Sequence, residues 1–574
     1  MDITLRIGGK AGQGLQFIGT ALARIFSRMG LHVFTHQDYM SRIRGGHNFY
    51  QLRVAENAVS ASKEKIDILV ALDENTIEIH QADCKPDGVI IYDAAMTKST
   101  HEGRRFLSIP LLELTEQLGM AEIMANSAAI GAILGGLDLA LDFFPEALQA
   151  SLGKKGEEVL HNNLRVAQAG WDFVRKSNWP ATLKFAPAAR KGLMLMNGSQ
   201  AIGFGALVSG CKFYAAYPMT PSTGIMNYLA AKAAKHDIIV EQAEDEIAAI
   251  NMVLGASFGG VRAMTGTSGG GFALMTEGLS LAGMTELPVV IAEVQRPGPA
   301  TGLPTRTEQG DLLFVLFSGH GEFPRILFAP GTPEQAILLT NKAFELAEKY
   351  QVPAIVMSDQ YLADCEWTYE AIKSSSLAYN RHRLLSSSEG DQDYKRFAYA
   401  EAGVSPLSVP GFSQRLVVVD SDEHDEEGHI IEDAESRVKM VKKRLTRKLP
   451  ALVQDISPPE IYGHRNPKIV LAGYGSTYGI MREAVDILQD GHDIAMLHFS
   501  ELWPFPDPET CDYLEILSGA ELAVCVENNA SGQFARLVRG ETGFTFPAAI
   551  RKYDGRPFLL EPFLGEVNAL LGKV

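Results

Sequence analysis

The first part of the chain alternates apolar and polar residues and then changes to helical spacing. Residues 3–7 alternate between the two types, which predicts a β-strand. A glycine-rich turn over 8–14 follows, and 15–29 carries apolar residues at the spacing of a helix. Further strand-like runs at 66–72 and 89–92, with helical stretches between them, complete a pattern that is typical of an α/β domain.

Changes in this pattern divide the chain into five segments. The α/β pattern of 1–177 ends at a proline-containing stretch, 178–191, which we interpret as a linker. A second α/β pattern with very glycine-rich turns spans 192–379, and we interpret the polar, charged segment 380–458 as a connection without a core of its own. Strand, turn and helix start again over 459–574. The sequence therefore predicts an α/β fold with three α/β domains.

Size and composition favour a multidomain protein that stays in water. A chain of 574 residues is longer than one hydrophobic core usually supports, and 46% apolar with 21% charged residues is ordinary for a folded protein. The net charge of -17 disfavours a nucleic-acid partner, because phosphate recognition needs a basic surface. Apolar runs stay shorter than the roughly 18 residues of a bilayer span, and the start lacks a leader pattern. We therefore expect a cytoplasmic protein without a membrane partner.

The five cysteines are too scattered to form a metal centre. They include no C-x-x-C pair and lack the clustered spacing of a zinc or iron-sulfur site. In a cytoplasmic protein such isolated thiols usually pack as small apolar groups. We therefore expect no metal ion in this chain and place any redox centre in another one.

Two segments of the first domain have features of an anion-binding site. Gly9, Gly12 and Gly14 have the spacing G-x-x-G-x-G, which is not the dinucleotide-binding order, but backbone N–H groups at a strand-to-helix turn can bind a phosphate. Arg42 and Arg44 lie beside a glycine pair in SRIRGGHN, where two cations could bind a polyphosphate or a carboxylate. The alternatives are a structural turn and an exposed basic loop, and these residues alone leave both open.

Three loops of the second domain carry polar residues suited to a binding crevice. They contain YPMTPST at 217–223, TGTSGGG at 265–271 and QRPGPATGLPT at 295–305. The last two follow strand-like segments, and open α/β sheets bind ligands at the carboxyl ends of their strands. We therefore expect the loops to converge, with Arg296 as a donor to a carboxylate. A turn with a helix cap is the structural alternative for the first loop.

Glu246 is the acidic residue most expected to be buried. It ends the acidic run 241–246 and precedes the apolar helical stretch 247–256. A buried carboxyl group usually has a raised pKa and a functional partner. The alternative is that acidic residues favour a helix N-terminus, which accounts for Glu244 and Asp245 better than for Glu246.

The order of these motifs resembles that in alpha subunits of the 2-oxoacid:ferredoxin oxidoreductase family. YPMTPST, QAEDEIAAINMVLGAS, TGTSGGGFALMTEG, EVQRPGPATGLPT and HGEFPR follow one another as they do in that family. RIGGKAGQG and SRIRGGHN resemble its gamma domain, fused ahead of alpha, and LAGYGST, LHFSELWPFP and EHDEEGH resemble its later segments. The resemblance covers nearly the whole chain and is closest to the 2-oxoglutarate type. It implies a gamma-like domain, a thiamine-enzyme pyrimidine-binding domain and a transketolase C-terminal-like domain.

The resemblance also implies roles for particular residues. In thiamine enzymes a glutamate forms a hydrogen bond to the aminopyrimidine of thiamine pyrophosphate, and Glu246 is the matching catalytic residue. The residues implied to bind the 2-oxoacid substrate are Thr220, Arg296 and Thr305. The residues implied to bind a cofactor are Tyr217, Pro218, Ser268, Gly269, Gly270, Arg44, Gly12 and Gly14.

This chain carries only part of the implied active site. The Mg-diphosphate motif of thiamine enzymes begins Gly-Asp-Gly, and that tripeptide does not occur in the sequence. The resemblance therefore implies a beta subunit that holds Mg²⁺ and the diphosphate, together with a [4Fe–4S] cluster that passes electrons to ferredoxin. Coenzyme A is the implied second substrate, and a dimer of alpha–beta heterodimers is the implied assembly.

Two alternatives to a 2-oxoglutarate enzyme stay open. The same chemistry could act on pyruvate, a branched-chain oxoacid or indolepyruvate. A protein of another class, a non-catalytic scaffold subunit that binds a phosphate ligand through its glycine turns, is disfavoured by the order of the motifs. A neighbouring reading frame with Gly-Asp-Gly and several cysteines would favour the enzyme over the scaffold.

Overall fold

The computed structural model describes residues 1–41, 46–177, 179, 192–384 and 393–572, and it divides into two compact units. Unit 1 comprises Met1–Met196, Cys365–Ala371 and Leu559–Gly565. Unit 2 comprises Asn197–Asp364, Ile372–Phe558 and Glu566–Val574. Each unit is therefore assembled from segments that lie far apart in the sequence.

Strands and helices alternate along most of the chain. The strands are β1 (Asp2–Lys10), β2 (His32–Asp38), β3 (His47–Ala55), β4 (Ile66–Ala71), β5 (Cys84–Tyr92), β6 (Phe106–Ser108), β7 (Leu193–Asn197), β8 (Phe213–Ala216), β9 (Ile239–Gln242), β10 (Ala263–Thr267), β11 (Val289–Gln295), β12 (Ile326–Phe328), β13 (Pro353–Asp359), β14 (Glu366–Glu370), β15 (Glu460–Gly463), β16 (Ile469–Tyr474), β17 (Ile494–Phe499), β18 (Glu501–Trp503), β19 (Leu522–Glu527) and β20 (Ala548–Arg551). The helices are α1 (Leu15–Arg28), α2 (Glu74–His80), α3 (Ala94–Thr97), α4 (Leu111–Gln117), α5 (Ala125–Gly136), α6 (Phe144–Leu152), α7 (Glu157–Lys176), α8 (Gly198–Val208), α9 (Thr223–His236), α10 (Glu246–Phe258), α11 (Gly269–Leu274), α12 (Thr276–Met284), α13 (Leu312–Phe317), α14 (Pro333–Tyr350), α15 (Gln360–Asp364), α16 (Ala434–Val441), α17 (Leu449–Val453), α18 (Tyr478–Leu488), α19 (Tyr513–Gly519), α20 (Gln533–Thr542) and α21 (Leu560–Leu571). A π-helix at Lys442–Lys448 joins α16 to α17.

Unit 1 is built on an eight-stranded sheet with the order β6–β5–β4–β1–β3–β2–β14–β7. The alternation along β1 sends Ile3, Leu5 and Ile7 into an apolar cluster that also contains residues of α1, α5 and α7. Helices α5 and α7 pack closely at Gly131. A Cβ at this position would lie only 1.8 Å from the carbonyl oxygen of Ala167, so the close packing depends on the glycine. Within the described residues, none of the helices combines the length and apolarity that a bilayer crossing requires.

Unit 2 contains a seven-stranded sheet and a five-stranded sheet. Their orders are β18–β12–β13–β11–β10–β8–β9 and β15–β17–β16–β19–β20. Strands β8 to β13 pair in parallel, whereas β18 and β15 each join a sheet in the antiparallel direction. Every residue of β11 and of β13 is buried, as expected for parallel strands with both faces covered. The α/β fold class predicted from the sequence is confirmed.

The parallel strands place the three predicted loops at one edge of the seven-stranded sheet. Strand β8 ends at Ala216, β10 at Thr267 and β11 at Gln295. Thr267 pairs in register with Glu293, so β10 and β11 end within two residues of each other. Since all three strands run in the same direction, the loops that follow them begin on the same side.

The charged segment that follows the second predicted domain contributes buried residues to unit 2. Lys443 and Lys448 both contact the carboxylate of Glu286, and all three side chains are 1% exposed. Arg396 donates hydrogen bonds to the carbonyl oxygens of Thr285 and Glu286, at 3.1 and 2.7 Å. This segment therefore supplies the cations that surround a buried carboxylate. The predicted boundaries of the five segments stay a prediction.

Candidate active site

Thr220 and Arg296 are brought together at the edge where the loops converge. The Arg296 guanidinium donates a hydrogen bond from Nη1 to the backbone carbonyl oxygen of Thr220 at 2.6 Å. Thr220 precedes Pro221 through a cis peptide bond. Burial lowers the pKa of Arg296, and the negative charge of Asp311 opposes that shift. Arg296 therefore joins the loop after β11 to the loop after β8.

Glu246 begins α10 and is only 3% exposed. The preceding residue, Asp245, caps the helix by accepting a hydrogen bond from the Ala248 backbone N–H at 2.7 Å. Glu246 has no such role, and its Oε1 atom is buried without a hydrogen-bond partner in the described part of the chain. Burial raises the pKa of Glu246, with a smaller contribution from the charge of Asp245. Of the acidic run, Glu246 is thus the carboxylate that is buried and left free to bind something else.

The glycines after β10 allow helix α11 to lie against Glu246. A Cβ on Gly271 would lie 2.3 Å from Oε1 of Glu246 and 2.2 Å from Oγ1 of Thr267, so a side chain at this position would fill the space that Glu246 occupies. Ser268 is fully buried, and its hydroxyl has no hydrogen-bond partner within residues 192–384 or elsewhere in the described chain. A Cβ on Gly270 would lie 3.9 Å from the carbonyl oxygen of Ala300, which brings the third loop to the same place.

The other residues of unit 2 that the sequence predicts for the site, Tyr217, Pro218 and Thr305, make fewer contacts with Glu246 and Arg296. Tyr217 is 40% exposed and Pro218 is partly buried, directly after β8. Thr305 lies in a turn that is closed by a hydrogen bond from the Arg306 N–H to the carbonyl oxygen of Leu303 at 3.1 Å. Within the described residues, no hydrogen bond joins Thr305 to Thr220, Glu246 or Arg296.

Two acidic residues to which the sequence motifs assign no role, Glu293 and Asp311, interact electrostatically with each other, and Asp311 also with Arg296. Glu293 on β11 is fully buried, and burial raises its pKa well above the usual range, with further repulsion from Asp311 and Asp359. Burial also raises the pKa of Asp311 to about 6, and Arg296 opposes this. The sequence feature that could have pointed to Glu293 is its position as the one charged residue in the otherwise uncharged strand β11.

In unit 1, the predicted glycine turn connects β1 to α1. Gly12 and Gly14 adopt positive φ angles of 92° and 87°, which disfavour other residues. A Cβ on Gly12 would meet nothing within 4 Å, whereas one on Gly14 would lie 2.0 Å from the Asn126 side chain. Gly12 is therefore the open part of the turn. Arg44 lies outside the described residues.

A histidine pair lies beside this turn. His47 and His80 are joined through their Nε2 atoms at 2.8 Å, and a Cβ on Gly8 would lie 3.1 Å from the His47 ring. Burial and the charge of Arg6 lower the pKa of His80 to about 4, and burial also lowers the pKa of His47. The other ring nitrogen of His80, Nδ1, lies 3.0 Å from Oδ2 of Asp83 and 2.9 Å from Nη1 of Arg6. The sequence gives His47 in SRIRGGHN but does not reveal its partner.

Comparison with known proteins gives the family of this chain. Residues 205–443 match a family described as pyruvate flavodoxin/ferredoxin oxidoreductase, thiamine diphosphate-binding, and residues 4–173 match pyruvate ferredoxin/flavodoxin oxidoreductase. The alpha subunit of a 2-oxoacid:ferredoxin oxidoreductase from Sulfolobus sp is 33% identical over 97% of this chain and 95% of its own length. The chain belongs to the 2-oxoacid:ferredoxin oxidoreductase family, as an alpha subunit.

Two further relatives of this alpha subunit are named for 2-oxoglutarate. The 2-oxoglutarate oxidoreductase subunit KorA of Mycobacterium tuberculosis is 27% identical over 99% of this chain and 92% of its own length. A solved structure of the 2-oxoglutarate:ferredoxin oxidoreductase from Magnetococcus marinus, with 2-oxoglutarate, coenzyme A and succinyl-CoA bound, is 31% identical. It covers 99% of both chains with a TM-score of 0.90. The family and the fold predicted from the motifs are confirmed.

Proposed function

We propose that this chain is the alpha subunit of a 2-oxoglutarate:ferredoxin oxidoreductase. The proposed reaction is the coenzyme A-dependent oxidative decarboxylation of 2-oxoglutarate to succinyl-CoA and CO₂, with electrons passed to ferredoxin, and it is reversible in principle. The choice of 2-oxoglutarate is supported by the names of the Mycobacterium tuberculosis and Magnetococcus marinus relatives. Pyruvate, a branched-chain oxoacid and indolepyruvate are the alternative substrates.

One observation carries the proposal, namely the buried, unpartnered Oε1 atom of Glu246. A buried polar atom without a hydrogen-bond partner destabilises the folded protein. Such an atom in a native structure therefore often has a catalytic role or binds a ligand. This atom lies against the side-chain-free surface of Gly271 and within the segment that matches the thiamine diphosphate-binding family. The residues present therefore fit the aminopyrimidine end of thiamine pyrophosphate.

Thiamine pyrophosphate, when bound, supplies a nucleophilic carbon and an electron sink for decarboxylation. Glu246 is the proposed catalytic residue, and burial raises the pKa of its carboxyl group, which suits a group that exchanges a proton with the cofactor. Tyr217 and Pro218, together with the segment Ser268, Gly269 and Gly270, are the proposed walls of the cofactor site. The hydroxyl of Ser268 is a second buried atom that lacks a partner among the described residues.

Arg296, Thr220 and Thr305 are the proposed substrate-binding residues. Arg296 uses Nη1 to hold the Thr220 carbonyl oxygen, while its Nε and Nη2 atoms make no hydrogen bond within the described part of the chain. These donors are suited to a carboxylate, which accepts parallel hydrogen bonds from a guanidinium. We expect Arg296 to bind the carboxylate next to the 2-oxo group, which all the alternative substrates share.

The proposed enzyme needs a beta subunit that carries the rest of the site. The sequence lacks Gly-Asp-Gly, and none of the described residues forms a group of three or more metal-binding side chains. We propose that the beta subunit holds Mg²⁺, the diphosphate and a [4Fe–4S] cluster, that ferredoxin accepts the electrons, and that two alpha–beta heterodimers associate. Gly12, Gly14 and Arg44 are proposed to bind a phosphate-containing ligand in unit 1.

Co-expression with the partner subunit under anoxic conditions tests this proposal. We expect the complex to reduce a redox dye only with coenzyme A and an oxoacid, and 2-oxoglutarate to give the highest kcat/KM in a panel that includes pyruvate and indolepyruvate. Calorimetry should show thiamine pyrophosphate binding to the complex with Mg²⁺ and weak or no binding to the isolated chain. Tight binding to the isolated chain would contradict the half-site, and a complex without turnover would favour the scaffold subunit.

A further inference from the structure

A groove of about 620 Å³ in unit 2 is lined by helices α10 and α12. Helix α12 packs against α10 at Gly278, where a Cβ would lie 2.7 Å from Cγ2 of Ile250. Each helix turns one face toward the groove, because its lining residues are spaced by three or four positions. The residues of these two faces are Ile247 and Asn251 on α10, and Glu277, Leu281 and Met284 on α12.

Two sequence motifs without a role in the proposed chemistry supply the rest of the groove. His320 of HGEFPR lines it, and the backbone N–H of this residue donates a hydrogen bond to Oγ of Ser280 on α12 at 2.8 Å. Glu423 of EHDEEGH accepts two hydrogen bonds from Arg444, at 3.0 and 2.7 Å, and also contacts Arg437. Both arginines line the groove. The charged connecting segment therefore forms one wall of it.

The groove has an apolar part that is open to solvent. Helix α10 carries mainly apolar residues on all of its sides, which is typical of a helix that is covered all round. Nevertheless Ile247 on α10 is 50% exposed, and Leu274 at the end of α11 is also 50% exposed. Both side chains line the groove. Since an exposed apolar surface rimmed by polar residues commonly marks a protein–protein contact, we expect another polypeptide to cover this one.

The charges of the groove describe the surface that would fit it. Glu277 and Glu322 are exposed lining residues, and neither forms an ion pair within the part of the chain that the structure describes. The lining arginines Arg437 and Arg444, in contrast, are both paired with Glu423. The charges that stay available are therefore negative. A complementary surface combines apolar side chains with a basic residue.

The position of the groove beside the candidate active site indicates which chain covers it. Ile247 directly follows Glu246, whose buried Oε1 has no hydrogen-bond partner among the described residues. In the proposed function a second chain holds the diphosphate of the cofactor, because Gly-Asp-Gly does not occur in this sequence. A second copy of the same chain lacks that motif as well. The beta subunit is thus the chain that has to approach this end of α10.

We propose that the beta subunit docks in this groove through an amphipathic helix. The apolar face of that helix packs against Ile247 and Leu274, and a basic residue at its edge faces Glu277. Apolar grooves between helices commonly receive a partner helix in this way. HGEFPR and EHDEEGH then shape a docking surface and take no part in the chemistry. This inference rests on the proposed function, since it takes the beta subunit as the chain that completes the site.

The first test measures assembly. Ile247→Arg and Leu274→Arg each put a cation into the apolar part of the groove, and the co-expressed alpha–beta complex is diluted and followed by analytical ultracentrifugation. Each variant should raise the Kd of the complex at least about tenfold, as expected for a central apolar contact. Dye reduction should fall in proportion to the complex that remains. Ile487→Arg is the matched control, since Ile487 is 49% exposed on α18 and does not line the groove, and it should change Kd by less than about twofold.

Photo-cross-linking gives a second readout that needs no weakened complex. Benzoylphenylalanine in place of Leu274 should join this chain to the beta subunit on illumination, whereas the same residue in place of Ile487 should not. Cross-links between two alpha subunits would mean that a second copy covers the groove. If the arginine variants do not fold, as judged by the thermal midpoint, Ile247→Ala and Leu274→Ala replace them.

Three further results overturn the inference. They are an unchanged Kd in both groove variants, a loss of turnover without a change in assembly, and the absence of a cross-link from position 274 to the beta subunit. The proposed function fails in a different way. A parent complex that assembles and cross-links through position 274 but oxidises no 2-oxoacid contradicts the proposed reaction and supports the docking surface.

Discussion

Unit 2 buries two glutamates in very different surroundings. Glu246 is 3% exposed and has an oxygen without a partner among the described residues, and its pKa is raised by burial. Glu286 is 1% exposed and contacts Lys443 and Lys448, and these cations with Arg396 hold its pKa far below the usual range despite the opposing effect of burial. The surroundings therefore favour the protonated form of Glu246 and the ionised form of Glu286.

The comparison shows that burial alone does not distinguish a functional carboxylate from a structural one. What differs is whether the surrounding chain supplies partners. A fully paired buried charge contributes to the native arrangement, and removing one partner leaves the others unpaired. A buried carboxyl group that lacks partners contributes little to folding and is suited to bind or exchange a proton with a ligand. Substitution of each glutamate should therefore affect a different property.

The largest effect is expected on turnover from Glu246→Gln. The substitution removes the proton-exchanging group with almost no change in volume, so kcat should fall by about 10²- to 10⁴-fold, as for other general acid–base groups. Dye reduction by the complex measures this. Glu244→Gln, at an exposed position of the same acidic run, is the matched control and should remain active. An active Glu246→Gln complex would show that the catalytic carboxylate is another residue.

The second largest effect is expected on stability from Glu286→Gln. The amide leaves Lys443 and Lys448 buried without an anion, which should cost about 3–5 kcal/mol and lower the thermal midpoint of the complex. Exposed Glu521→Gln, which removes a surface pair with Lys468, is the matched control and should leave the thermal midpoint almost unchanged.

The pH dependence of this second effect follows from the lowered pKa of Glu286. A lowered pKa stabilises the folded protein above the unfolded value of about 4.3, and that contribution is lost as the pH falls toward the folded value. The difference between the parent and Glu286→Gln should therefore shrink below roughly pH 4. An equal difference at every pH would mean that packing, and not charge, stabilises this cluster.

A smaller effect is expected from Arg296→Lys. Lysine keeps the charge but loses the planar pair of donors, so kcat/KM should fall by roughly 10- to 100-fold for every 2-oxoacid alike. Arg536→Lys on the exposed side of α20 is the matched control. Steady-state kinetics with 2-oxoglutarate and pyruvate measures the change. A loss confined to 2-oxoglutarate would mean that Arg296 binds the distal carboxylate.

The smallest effect is expected on stability from Glu246→Gln. Because the raised pKa of Glu246 makes its charged form costly in the fold, the uncharged amide should leave the stability equal or raise it by less than about 1 kcal/mol at neutral pH. That gain should vanish as the pH falls below the unfolded value of about 4.3, where both states hold the proton. Thermal unfolding of the complex measures it, and a marked destabilisation would place Glu246 with Glu286 as a structural residue.

The sequence predicts the fold class and some of the burial seen around the candidate site, whereas the roles of its residues stay predictions. The alternation of strands and glycine turns gave the α/β class, and strand direction explains why loops after β8, β10 and β11 meet. Glu246 could be chosen over Glu244 because an apolar helix follows it. The Arg296 contact could not be foreseen, since its acceptor is the backbone carbonyl of Thr220, which leaves no signature in the residue types.

Other features depend on contacts between distant segments. The cations around Glu286 come from residues more than 100 positions later, in a segment whose polar composition indicates only a connection. The sequence shows that Gly271 belongs to a glycine-rich turn. Only the structure shows why a glycine is needed there, since a side chain would collide with Glu246. Glu293 lies in the motif EVQRPGPATGLPT, but its electrostatic interaction with Asp311 depends on the fold and could not be predicted.

The sheet of unit 1 has a consequence for protein synthesis. Strand β14 pairs with β2 through Trp367 and Phe34. During synthesis β2 therefore has no partner on this side until a segment more than 300 residues later has been made. At elongation rates of about 5–20 residues per second, this side of β2 remains unpaired on the ribosome for tens of seconds. An unpaired strand edge readily associates with other chains. Nascent or truncated chains that end before β14 should therefore aggregate, and co-translational chaperones should bind this region.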